Sequence, residues 1–117
     1  MWFACRLYSQ IYAGGSVAAA HALGKGQADV AINWVGGQPH ARRDCASGFS
    51  YVNDVVLAIL ALLPMNERVL FVNIDAYHAS GVEEAFYTTV RCVGSLVACA
   101  VHMRGGCGRH SPSRRRQ

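Results

Sequence analysis

Residues 68–74 read RVLFVNI, a nearly unbroken apolar run rich in β-branched residues, and their reading decides the fold. A run of this kind fits a strand covered on both faces, as in a parallel sheet. Just upstream, residues 51–63 (YVNDVVLAILALL) are too long for a strand and stop at Pro64. They predict a buried helix whose core face is Val55, Ile59 and Leu62 or Leu63. Just downstream, residues 82–87 predict a short helix. Farther out, residues 28–34 (ADVAINW) predict a second strand, ended by Gly36 and Gly37 and followed by a polar loop through Gly48. Residues 16–24 (SVAAAHALG) combine strong helix formers with a closing glycine, which predicts a short helix. The pair Gly14-Gly15 before it leaves the backbone free to turn and is not a G-x-G-x-x-G phosphate fingerprint. Strands that alternate with helices at this spacing predict an α/β fold with a parallel sheet. Two strands and their helices leave both sheet edges open, so the chain reads as a piece of something larger.

Composition narrows the function classes. The 117 residues have room for one domain at most. With 52% hydrophobic and 15% charged residues, disorder is excluded as the main state. The longest apolar run, residues 55–63, falls far short of the ~20 residues that span a bilayer, so no membrane partner is expected. Arg6 interrupts the N-terminal apolar stretch, and no secretory signal is expected. Five cysteines, odd in number and without a C-x-x-C pair, argue against a disulfide framework or zinc finger and for a reducing compartment. The net charge of +4 is placed unevenly. Residues 104–117 carry Arg104, Arg109, Arg114, Arg115 and Arg116 with no acid, whereas residues 1–103 are close to neutral. The basicity therefore belongs to the tail, and direct nucleic-acid binding is not expected beyond weak phosphate contacts there.

Ligands of an open α/β sheet bind in the loops that follow the carboxyl ends of its strands. The first such loop, residues 35–44, contains His40; the second, residues 75–81, contains Asp75 and His78. Neighbouring strands would bring these three to one rim, and imidazole with carboxylate suits a zinc or general-base site. The plainer alternative is a strand-end aspartate capping a helix beside two exposed loop histidines.

The blocks AINW with two glycines, ASGF with YVND, and GVEEAFYTT occur in order within residues 11–89. This stretch resembles the class I (Rpd3-type) zinc-dependent histone deacetylases. The resemblance implies a partial domain over residues 11–89, part of a three-layer, arginase-like parallel-sheet core, with a divergent basic tail over 90–117. It implies hydrolysis of acetyl-lysine on histones, zinc as the family's cofactor, corepressor proteins as possible partners, and a nuclear or cytoplasmic location. It also gives His40 the position of the general base and Asp75 that of a zinc-binding aspartate. Gly48 and Phe49 match the wall of the substrate channel. Read from residues alone, Phe49 is instead a core aromatic leading into the next helix. Arg42 and Arg43 stand where the family has lysines, and a solvated loop face accounts for them.

Several positions depart from the family pattern. Pro39 replaces the first histidine of a His-His pair, Asn73 replaces an orienting aspartate, and Ser80 replaces another. Tyr77 stands where the family has its zinc-binding histidine. His78 matches the following histidine, which is not a ligand, and adjacent residues tend to point apart. The family's third ligand and its carbonyl-polarising tyrosine belong to segments beyond the resemblance. Only Asp75 of three ligand positions is retained, so zinc is not expected to bind and catalysis is not expected. The alternatives are a working lysine deacetylase and a non-catalytic remnant that pairs with deacetylases or corepressors. Residues 92–101 could form a strand, the final SPSRRRQ is expected to be disordered, and the abrupt change after Thr89 suggests a frameshift, retained intron or alternative exon.

Overall fold

Between residues 2 and 24 there is no proline, and Ser9, Tyr12, Ala13 and Ala20 form a buried stripe at helical spacing. In the computed structural model, which describes residues 2–89 and 92–96, this stretch is one helix, α1 (Trp2–Gly24). The helix expected over 16–24 is thus the last third of a longer one. Gly14 and Gly15 lie inside it rather than turning into it, and Gly15 is needed for close approach. A Cβ added there would lie 3.0 Å from Asn33 Nδ2. The stop comes two residues after Gly24. Gly26 takes a positive φ of 65°, its N–H reaches Leu23 O at 3.0 Å, and Gln27 N–H reaches Ala22 O at 2.9 Å. This is a Schellman ending.

The second helix, α2 (Asp54–Leu62), starts where Asn53 caps it: the side-chain Oδ1 accepts from Val56 N–H at 3.1 Å. It ends ahead of Pro64. The strand β1 (Val69–Asn73), the helix α3 (Ser80–Phe86) and the strand β2 (Cys92–Leu96) then form a β-α-β unit. The strands pair in parallel, from Val69 opposite Cys92 to Asn73 opposite Leu96. The parallel α/β character expected from RVLFVNI is present, and the strand expected over 92–101 is seen at 92–96. Residues 97–117, including the basic tail, lie outside the described residues. No helix among the described residues is long and apolar enough to cross a membrane.

The core forms where α2, β1 and α3 meet. Ile59, Ala79 and Val82 are buried, and Val55, Val56, Leu63, Val69, Phe71 and Phe86 pack against them. Burying a side chain such as Ile59 contributes roughly 2 kcal/mol.

Three expectations need correction. Residues 28–34 are not a strand: Val30, Ile32 and Trp34 alternate outward, but among the described residues no neighbouring backbone supplies a ladder. The segment is held instead by Asn33, whose Nδ2 donates to Tyr12 O at 2.9 Å and to Ser16 Oγ at 2.8 Å. β1 is covered on one face only, because α2 and α3 both pack against Val69 and Phe71, leaving Leu70 65% exposed and Ile74 outward. For the same reason α2 is amphipathic rather than buried all round, with Leu57 and Leu60 exposed.

Candidate functional site

The His40 loop is shaped by a polar framework rather than by regular structure. Asp54, 1% exposed at the start of α2, accepts three hydrogen bonds. Ser16 Oγ donates to Oδ2 at 2.5 Å, Gly37 N–H to Oδ2 at 2.9 Å, and Gln38 N–H to Oδ1 at 2.7 Å. Asn53, also buried, donates both hydrogens of its Nδ2 to Pro39 O and Ala41 O, each at 3.0 Å. Ser50, fully buried, accepts from Ala41 N–H at 3.1 Å and donates to Gln38 O at 2.9 Å. Tyr12 OH donates to Val52 O at 2.9 Å and accepts from Val52 N–H at 3.0 Å, tying α1 to the start of α2. Every backbone group on either side of His40 is thereby spoken for, as burial of a loop demands.

His40 itself is half-buried, and its ring lies against the backbone of Gly48: a Cβ added to that glycine would sit 3.2 Å from His40 Cδ2. Ser47 and Ser50 exchange backbone hydrogen bonds of 3.1 and 2.8 Å around Gly48 and Phe49. Both central residues have positive φ, 54° and 62°, so the turn is type I′. The turn throws Phe49 outward, 94% exposed, and the core-aromatic reading of Phe49 is wrong. Arg42, two residues after His40, forms an exposed ion pair with Glu84 at 3.2 Å. The thiol of Cys45 is pushed above its ordinary range, chiefly by desolvation and then by the adjacent Asp44.

The second loop approaches the first through Gly81. A side chain on that glycine would strike Pro39 O, Ala41 O and Asn53 Nδ2. The loop that precedes it turns on Asn73, whose Nδ2 donates to Tyr77 O at 2.8 Å and whose Oδ1 accepts from Asp75 N–H at 3.1 Å. Asp75 and Tyr77 are exposed. His78 Nε2 is paired with the Glu83 carboxylate on α3. The expected gathering of His40, Asp75 and His78 is therefore only partial. The two loops meet, but His78 is engaged by Glu83, and no three metal-capable side chains cluster among the described residues.

A family model described as the histone deacetylase domain matches residues 3–106. The chain belongs to the histone deacetylase family. Histone deacetylase 2 of Oryza sativa subsp. japonica is 62% identical over 84 residues, covering 72% of this chain and 16% of the rice protein. Histone deacetylase 1 of Homo sapiens is 58% identical over 84 residues, covering 72% of this chain and 17% of the human protein. Histone deacetylase 19 of Arabidopsis thaliana is 61% identical over 87 residues, 73% of this chain and 17% of the relative. The chain spans about a sixth of the length of these relatives.

For a histone deacetylase the implied metal is zinc, which takes about three protein ligands and keeps an open position when catalytic. The donors present do not make such a set. Asp75 and Tyr77 are exposed, His78 is paired with Glu83, and no group of three metal-capable side chains forms among the described residues. His40 has no carboxylate orienting its ring among the described residues. The polar framework of Ser16, Asn33, Ser50, Asn53 and Asp54 was not anticipated as part of the site. Asn53 ahead of an apolar helical run is a cap signal open to sequence reading. Burial of Asp54 depends on α1 and the Gly36-Gly37 turn, which no local pattern reveals.

Proposed function

We propose that this chain is a histone deacetylase-like segment that carries the base-bearing loop of an acetyl-lysine hydrolase without assembling its zinc centre. The observation that carries the reading is the loop after β1, where Asp75 alone remains of the ligand positions, the Tyr77 side chain stands exposed and His78 is paired with Glu83. In the family, zinc supplies polarisation of the acetyl carbonyl and activation of water. Among the described residues His40, at the general-base position, has no orienting carboxylate, and such a partner is what fixes a histidine's tautomer and raises its basicity. Gly48 and Phe49 stand at the positions of the family's channel wall, with Phe49 exposed. Within a whole family domain, β1 and β2 are read as two strands of a larger, three-layer sheet. The test is zinc content of the purified chain together with turnover of an acetyl-lysine histone peptide. Less than about 0.1 zinc per chain and no turnover is the expected result; stoichiometric zinc with turnover overturns it.

A second reading is a non-catalytic binding remnant that associates with deacetylase or corepressor proteins in chromatin regulation and transcription repression, in the nucleus or cytoplasm. It is favoured by the uncovered apolar face of β1, Leu70, Val72 and Ile74. Capture of a family protein by the chain, abolished by Leu70→Lys with Ile74→Lys, supports it; equal capture by that variant counts against it. The basic tail enters neither reading beyond weak phosphate contacts or a nuclear-localisation patch.

A further inference from the structure

The loop between β1 and α3 is closed by an amide. Asn73 is the last residue of β1 and is 9% exposed. Its side chain spans the turn, giving a hydrogen to Tyr77 O at 2.8 Å and taking one from Asp75 N–H at 3.1 Å. These partners also fix which end of the amide is which, since a backbone carbonyl needs a donor and a backbone N–H needs an acceptor. The far end of the loop is fastened separately. Ser80 N–H reaches His78 O at 2.9 Å, and the His78 ring is paired with Glu83.

A carboxylate at position 73 accepts from Asp75 N–H as well as an amide does. It has no hydrogen for Tyr77 O, and sets an anionic oxygen against a carbonyl oxygen instead. The bond across the loop is therefore specific to asparagine. It engages the backbone of Tyr77, the residue standing at the histidine-ligand position.

We propose that Asn73 is the organising residue of this loop: its amide joins Asp75 to Tyr77 and holds residues 73–77 in shape with no metal ion. The inference deepens the zinc-free reading above and rests on it for the words "no metal"; the lock itself is measured without zinc or substrate. The substitutions in the loop then form a set. Asn73 supplies the closing bond, Tyr77 supplies its acceptor, and Glu83 draws His78 toward α3.

Amide hydrogen exchange by NMR on the full chain tests this. Asn73→Ala removes both bonds, and the Asp75 amide is expected to exchange about tenfold faster, the loss of one hydrogen bond. Asn73→Asp differs by one donor group and serves even if the alanine variant does not fold. It is expected to keep the Asp75 amide protected while the Tyr77 carbonyl carbon resonance moves upfield. An unchanged Asp75 rate in Asn73→Ala, or an unmoved Tyr77 carbonyl in Asn73→Asp, overturns the lock alone. Equimolar zinc chloride is expected to leave the wild-type Asp75 rate unchanged. Slowing by zinc overturns metal independence and the zinc-free reading together.

Discussion

Asp54 at the head of α2 accepts the backbone N–H of Gln38, sixteen residues earlier, at 2.7 Å. This bond joins the helix that carries the apolar core to the loop that carries His40. It is one of three that the buried carboxylate accepts, the others coming from Gly37 N–H and Ser16 Oγ. Alanine at this position removes a buried carboxylate from three partly exposed donors, and a hydrogen bond to a charged group is worth about 1.5–3 kcal/mol. Asp54→Ala is therefore expected to destabilise the chain by about 3 kcal/mol or more in urea unfolding, with the His40 ring resonances collapsing toward free-histidine values. A loss under about 1 kcal/mol would show that the carboxylate is not the anchor of the loop.

Gly81 tests the contact between the two loops. A methyl group there meets backbone oxygens of Pro39 and Ala41, which have no soft way to move because Asn53 holds both. Gly81→Ala is expected to cost about 1–3 kcal/mol, as overpacking does, although alanine is the better helix former. A stabilised variant would mean that the loops do not touch.

Phe49 makes the opposite prediction. It is outside the core and sits at a φ of 62° that side chains disfavour. Phe49→Gly relieves about 1–2 kcal/mol of local strain and gives back part of it through a more flexible unfolded chain. Thermal stability is expected to hold or rise. A core phenylalanine would cost about 3–5 kcal/mol on truncation, so the melting curve separates the two cases.

The α/β character, β1, α2 and α3 were legible because each rests on local chemistry: β-branched runs, helix formers and a proline stop. Residues 28–34 misled for a definite reason. Val30, Ile32 and Trp34 alternate as strand residues do, but a strand also needs a neighbour, and sequence does not say whether one is present. Gly14-Gly15 misled because a glycine needed for close approach to Asn33 looks the same as one needed for a turn. In the site, the approach of the Gly48 turn to His40 follows from a glycine at a tight turn, which sequence can flag. The pairing of His78 with Glu83 and the donation from Asn73 were not legible, since both depend on how the loop closes.

Cys45 reports on the loop from outside. Desolvation and then the neighbouring Asp44 hold its thiol above the ordinary range, so less thiolate is present at pH 8 than for a free cysteine. Iodoacetamide labelling, followed by peptide mass mapping, is expected to be slower at Cys45 than in the denatured chain. Asp44→Asn, which removes an anion that favours the protonated thiol, is expected to speed it severalfold. No change with Asp44→Asn would remove Asp44 from the cause.

The strongest test of the proposed zinc-free reading restores the family pattern at four positions together: Pro39→His, Asn73→Asp, Tyr77→His and Ser80→Asp. Two zinc ligands, Asp75 and the new histidine, then share a loop, but the family's third ligand belongs to a segment beyond this match. Two ligands do not hold a catalytic zinc. The restored loop also loses the donor to Tyr77 O and gains two carboxylates next to Asp75, so like charges crowd a short turn. The variant is expected to be less stable than the original chain without metal, to gain weak zinc binding at most, and to show no turnover of an acetyl-lysine peptide. Calorimetric zinc titration and a peptide assay on the same sample check all three. Zinc-dependent turnover by the variant would mean that the chain supplies a third ligand from a residue outside the loop.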